Sequence, residues 1–233
     1  MCTLTYLLTE TGYELFFNRD EQLSRTLAIP PKLHQVEQTI YPIDPEGNGT
    51  WIAIDKNGCS LVLLNYYQAT NNDKNKTYIS RGQIILSLLK NNNPTIEGLN
   101  DLDLNQYQAF QLCLFADNLS LNNSTVQSVI WNGTKLIYSD IDLPITSSSI
   151  NYCQVKQKRQ SKFNQLIDSE RPTSEQLKEF HYSKESLEQY SVNMLREDAR
   201  TVSISHIVIN KNITFEYFDN ILNKSYIINK KRH

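Results

Sequence analysis

Short apolar runs broken by turn-forming residues fill the first part of the chain: residues 3–8, 13–17, 51–55 and 60–66 read as strands, with Gly12 and Asn57-Gly58 at the breaks. Asn-Gly supplies the backbone freedom that a tight hairpin turn needs. After a polar stretch at 71–77, Ile84, Ile85, Leu88 and Leu89 recur at helical spacing within 81–90, until Asn91-Asn92-Asn93-Pro94 ends the pattern. Strand patterning returns at 110–116, 126–131 and 135–138, with Asn132-Gly133 as the turn between the last two. From about residue 152 the period is helical again. Val155, Phe163, Leu166 and Ile167 share one face, Thr173 with Gln176 spells a capping box, and Leu187, Tyr190, Met194 and Leu195 predict a further helix. Three closing strands, 201–209, 213–218 and 225–228, precede the basic tail Lys230-Lys231-Arg232-His233. Strand blocks separated by helix blocks predict an α+β protein, with mainly antiparallel sheets covered by helices rather than a wound βαβ fold. No internal repeat or linker interrupts the pattern, so a single domain over 1–233 is expected.

Composition narrows the class. At 233 residues, 39% hydrophobic and 10% aromatic, the chain can bury a substantial core, which excludes disordered, collagen-like and coiled-coil classes. A net charge of −2 provides no general basic field for nucleic acid or an anionic membrane. Cys2, Cys59, Cys113 and Cys153 form no C-x-x-C pair and accompany no histidine cluster, which argues against a zinc site and a disulfide framework and for a reducing, cytoplasmic setting. The start of the sequence lacks the basic and apolar regions of a signal peptide, and no run approaches the roughly 20 apolar residues of a membrane span. The expectation is a soluble protein without membrane insertion, in which sequons such as Asn132-Gly133-Thr134 are not glycosylated.

Three places can carry chemistry. Removal of Met1 before the small Cys2 would leave a thiol and a free α-amine on one residue, a nucleophile with its own base. The ordinary alternative is a small buried side chain in a strand. In Asn18-Arg19-Asp20-Glu21 a strand gives way to polar residues; a hairpin of 3–8 with 13–17 would bring Arg19 and Asp20 beside Cys2. Arg19 would lower the thiol pKa and orient an acyl group, and Asp20 or Glu21 would hold the amine. A solvated loop with local ion pairs is the competing reading. Asn65, a polar amide ending an apolar strand, would stabilise an oxyanion through its side chain together with the backbone N–H of Tyr66, or simply cap the strand. Elsewhere, Lys156, Lys158, Arg159 and Lys162 would meet a ligand carboxylate or phosphate, or form a solvated helix face. His206, inside an apolar strand, reads as a satisfied core residue.

The combination of Met1-Cys2, Asn18-Arg19-Asp20-Glu21 with Ser24-Arg25, Gly49-Thr50-Trp51-Ile52, Leu64-Asn65-Tyr66, Ser80-Arg81-Gly82 and Ala199-Arg200-Thr201-Val202 resembles the NRDE family, also called transport and Golgi organisation 2. That family in turn resembles cysteine N-terminal-nucleophile hydrolases such as penicillin V acylases and bile salt hydrolases. The resemblance implies a four-layer αββα sandwich, with Cys2 as nucleophile, Arg19 as the arginine at the thiol and Asn65 as the oxyanion amide. Two departures stand out. The hydrolases carry an aspartate three residues after the arginine, where this chain has Gln22, and their second oxyanion asparagine falls near Thr146-Ser147-Ser148-Ser149, which offers hydroxyls. Their late arginine corresponds to Arg159 or Arg200. Two functions follow as expectations: an amidase-like or thioesterase-like acyl transfer, with Glu21, Tyr66, Ser147, Arg159 and Arg200 around a small acyl substrate, or a non-catalytic carrier of haem or of acyl-CoA or another lipid. The departures favour the carrier; the intact Cys2, Arg19 and Asn65 favour the enzyme. No metal or cofactor is expected, haem being cargo, and no nucleic-acid partner.

Overall fold

A hairpin of β1 (Cys2–Thr9) and β2 (Gly12–Gln22) starts the fold in the computed structural model, which describes all residues except 1, 36–37, 70–75, 91–93, 186 and 233. The protein is α+β. Its two antiparallel sheets lie in two compact units: Met1–Arg25, Ser120–Asn122 and Asp142–Lys231 form one, and Thr26–Leu119, Asn123–Ile141 and Arg232–His233 the other. Neither unit is a continuous segment.

The first unit holds a six-stranded sheet. Its strands are β10 (Ile145–Ser147), β1, β2, β11 (Ala199–Ile209), β12 (Asn212–Asp219) and β13 (Lys224–Lys231), in that order. Gly12 is required at the first turn, because a Cβ there would lie 1.8 Å from the carbonyl oxygen of Ile209. Helices α2 (Tyr152–Leu166) and α3 (Ser174–Tyr182) pack on one face, where Leu7 and Phe16 meet Leu177, Phe163 and Ile167. The Thr173–Gln176 capping box forms as its sequence predicts. On the opposite face Leu4, Leu15, Phe17, Ile207, Phe215 and Tyr217 are buried as well, so the central strands are enclosed on both sides.

Three expectations change in this unit. β2 runs on through Gln22, so Asn18, Arg19 and Asp20 are buried strand residues, not a solvated loop. The helix expected around Leu187–Leu195 is only a 3-10 turn, Glu188–Tyr190, because the following segment is pulled onto the sheet: the Thr201 N–H donates to the Met194 carbonyl and Leu195 bridges Arg200. β10, three residues long, is too short to announce itself by periodicity.

The second unit holds a seven-stranded sheet ordered β3 (Ile29–His34), β4 (Thr39–Ile43), β5 (Ile52–Ile54), β6 (Ser60–Asn65), β7 (Phe110–Phe115), β8 (Gln127–Trp131) and β9 (Leu136–Tyr138). β3 and β4 escape the sequence pattern because prolines interrupt them; Pro30 and Pro31 are tolerated since β3 is an edge strand. Helix α1 (Gly82–Leu89) buries Ile84, Ile85, Leu88 and Leu89 among Leu61, Leu63, Phe110 and Leu112. The polar stretch at 71–77 and the Asn91–Asn93 stop fall largely outside the described residues.

Gly49 and Gly82, from two separate sequence motifs, meet backbone to backbone. The Thr50 N–H donates to the Gly82 carbonyl at 3.2 Å, and a Cβ on Gly49 would lie 2.4 Å from the Gly82 carbonyl carbon. Gly49→Ala therefore forces the two segments apart and is expected to cost about 1–3 kcal/mol, read as a lower denaturation midpoint with an unchanged denaturant slope.

Among the described residues no helix is long and apolar enough to cross a membrane, and no group of three His, Cys, Asp or Glu side chains can hold a metal ion.

Candidate active site at the start of the first strand

The site is fixed by strand register. β1 pairs with β2 so that Cys2 stands opposite Arg19, and with β10 so that Cys2 stands opposite Ser147. Directly opposed residues of an antiparallel pair project from the same face, which brings thiol, guanidinium and hydroxyl together. Cys2 is 8% exposed, Arg19 5% and Ser147 4%, so the group is nearly dry. Arg19 Nη2 lies 3.1 Å from Glu21 Oε2, two residues along the same face, and Arg25 Nε reaches the same oxygen at 3.6 Å. β11 extends the row: Ser203 stands opposite Arg19 and Arg200 opposite Glu21, with a β-bulge between Thr201 and Ser203.

Burial pushes the Cys2 thiol above its ordinary pKa, and the Asp20 charge adds to this; the charge of the amino terminus, then the Asp20 backbone N–H and the Arg19 guanidinium, pull the other way without prevailing. The thiol is therefore protonated at neutral pH and needs a base to become a nucleophile.

Asp20 projects to the helix side of the sheet. Its Oδ2 accepts from Arg159 Nη2 at 3.1 Å and its Oδ1 from the Thr201 hydroxyl at 2.5 Å. Arg159 also donates from Nε to the Ser191 carbonyl at 3.1 Å and from Nη1 to the Thr3 hydroxyl. Both side chains of this ion pair are 0% exposed. The structure thus overturns the reading of Arg159 as part of a solvated helix face, and its expected contact with a ligand anion is replaced by one with Asp20. Lys156 and Lys162 do stay at the surface, paired with Asp142 and Glu185.

Asn18 completes the layer. Its amide N–H groups donate to the carbonyls of His181 at 2.8 Å and Val192 at 2.9 Å, which leaves Oδ1 to accept from His181 Nδ1 at 2.7 Å. That fixes the histidine tautomer: Nε2 carries no proton and accepts from the Thr5 hydroxyl at 2.7 Å. Burial, then the charge of Arg159, hold the His181 pKa well below 6.5. A histidine kept neutral in the fold but free to protonate when unfolded makes stability fall as pH drops below about 6.5, by at most about 1.4 kcal/mol per unit. Melting midpoints between pH 7.5 and 5 are expected to show this slope, and His181→Asn to flatten it. Glu14 acts lower. Burial raises its pKa, but bonds from His206 and Ser174 and the His206 charge outweigh that and lower it, so its contribution is present above about 4.5 and lost below.

His206 is satisfied as expected but is not fully buried. It lies half-buried on the helix side, stacked on Phe16 at 4.0 Å, with Nε2 2.8 Å from Glu14 Oε2. Asn65 and Tyr66 belong to the second unit. Asn65 ends β6, opposite Phe110, and its amide donates to the Tyr67 hydroxyl at 2.7 Å. The Tyr66 backbone N–H, expected in an oxyanion hole, instead donates to the Ala109 carbonyl at 3.1 Å.

Sequence reasoning missed Thr3, Thr5, Asn18, His181 and Thr201 as members of this buried network. Their signal was period two: Thr3 and Thr5 are polar at alternate positions of an apolar strand, where a buried hydroxyl must find a partner.

The arrangement of strands and helices is similar to that of a solved hydrolase. The C2A mutant of the conjugated bile acid hydrolase from Clostridium perfringens superposes with a TM-score of 0.52 at 12% identity, covering 98% of this chain and 92% of that one. The likeness is one of fold. The family model for transport and Golgi organisation 2 matches residues 1–224, and the chain belongs to that family. No curated protein sequence matches it.

Proposed function

We propose that the Cys2 end of the six-stranded sheet is an acyl-transfer centre completed by removal of Met1. The observation that supports this most is the register placing Arg19 and Ser147 on either side of Cys2 on one enclosed face. After processing, the α-amine on Cys2 takes the thiol proton that burial otherwise retains. The sulfur attacks the acyl carbon, the bond to the amine or thiol leaving group breaks, and the proton passes to that group. Water then cleaves the thioester, releasing the acid and returning a proton to sulfur. Arg19 orients the acyl group, and Asp20 anchors the strand beside the nucleophile through Arg159 and Thr201. An activated ester is expected to leave one acyl group per chain on the Cys2 peptide of the processed protein, read by intact mass and peptide mapping. An adduct that persists in Cys2→Ala contradicts the assignment.

The Ser147 hydroxyl opposite Cys2, in place of a second oxyanion amide, favours a second reading, a carrier that uses the same face without turnover. Saturable binding of haem or an acyl-CoA that survives Cys2→Ala supports it; no titration signal at tens of micromolar removes it.

A further inference from the structure

Three arginines gather around one carboxylate on the Cys2 face, Glu21. Glu21 Oε2 is approached by Arg19 and by Arg25, and its Oε1 accepts the Gln22 N–H at 3.0 Å. Arg200, which stands directly opposite Glu21 in the β2–β11 register, has its Nε sealed from solvent with no hydrogen-bond acceptor among the described residues. The other carboxylate on this face, Asp219, stands opposite Ser203 and spends Oδ1 on the Ile221 and Leu222 N–H groups. Asp20, on the other face, is paired with Arg159. A buried guanidinium N–H left without an acceptor costs stability unless something arrives to accept it.

We propose that Arg200 is an anion subsite for the acyl-transfer centre, so that the substrate carries a carboxylate or phosphate at a fixed distance from the scissile carbonyl. This rests on the reading of Cys2 as the nucleophile. Arg200 lies two strands from Cys2 and two residues further along, which strand spacing of about 4.8 Å and rise of about 3.4 Å convert to about 12 Å between backbones, before either side chain reaches inward. The geometry selects a substrate whose charged group is separated from the reacting carbon by a spacer of several bonds. The guanidinium fork suits carboxylate and phosphate alike.

A turnover-independent probe tests this: the alkylation rate of Cys2 by 6-iodoacetamidohexanoate against that by its methyl ester, at constant ionic strength, followed by mass spectrometry of the Cys2 peptide. The anionic reagent is expected to react about 10- to 100-fold faster, and Arg200→Gln to reduce that ratio to within about twofold while Arg200→Lys retains part of it. Circular dichroism confirms that each variant is folded. Slowing of the anionic reagent by glutarate but not by inorganic phosphate assigns a carboxylate; the reverse assigns a phosphate. Equal rates for the two reagents in the wild type, a ratio unchanged in Arg200→Gln, or no competition by either anion overturns the subsite while leaving the nucleophile in place. Failure of both reagents to alkylate Cys2 overturns the acyl-transfer reading itself, and the subsite with it.

Discussion

Replacing Arg159 with leucine is expected to lower the unfolding free energy by about 3–5 kcal/mol, the range for stranding one partner of a buried ion pair. Asp20 would lose its cationic partner with no solvent to replace it, since both side chains of the pair are 0% exposed. The Thr201 hydroxyl, a further partner, offsets only part of the loss. Arg159 also ties α2 to β1 through Thr3 and to the segment after α3 through the Ser191 carbonyl, so three connections fail together. The double variant Asp20→Asn with Arg159→Met removes both charges and is expected to recover part of the stability, giving a non-additive cycle. Chemical denaturation at pH 7 measures both. A loss under about 1 kcal/mol for Arg159→Leu would show that the pair is not sealed.

Cys2→Ala carries the largest expected effect on activity, a fall of at least about 10³-fold in acyl release, because among the described residues no other thiol stands on that face. The fold is expected to survive, with a melting midpoint within a few degrees of wild type, since one small buried side chain replaces another. Cys59 and Cys113 cannot substitute. Both belong to the second unit, and burial raises both thiols, with Cys113 pushed up to about 12. Loss of activity together with loss of the cooperative unfolding transition would instead mark Cys2 as structural.

The hairpin of β1 and β2 was legible because its apolar runs are separated by a turn containing Gly12, and from that hairpin the meeting of Cys2 and Arg19 followed. Strand pairing needs only register. What stayed hidden was the continuation of β2 through Asn18, Arg19 and Asp20. Three polar residues in succession look like the end of a strand, and the buried partners of Asn18 and Asp20, which are His181, Arg159 and Thr201, lie 139 to 181 residues away in sequence. Arg159 was obscured by its neighbours. It sits among Lys156, Lys158 and Lys162 in a helix of low amphipathicity, where nothing local separates the one inward cation from the outward three. The Leu187–Leu195 segment reads as helix by spacing but is claimed by the sheet, a tertiary pairing that outweighs local periodicity.

The central claim is that Cys2 becomes the amino-terminal residue and its sulfur the acyl acceptor. Intact mass of protein expressed without an amino-terminal tag, followed by timed alkylation of its four thiols, tests it directly. The account predicts a mass lacking Met1, with Cys2 reacting far faster than buried Cys59 and Cys113 and at a rate approaching that of exposed Cys153. A retained Met1 with Cys2 as inert as Cys113 would contradict it.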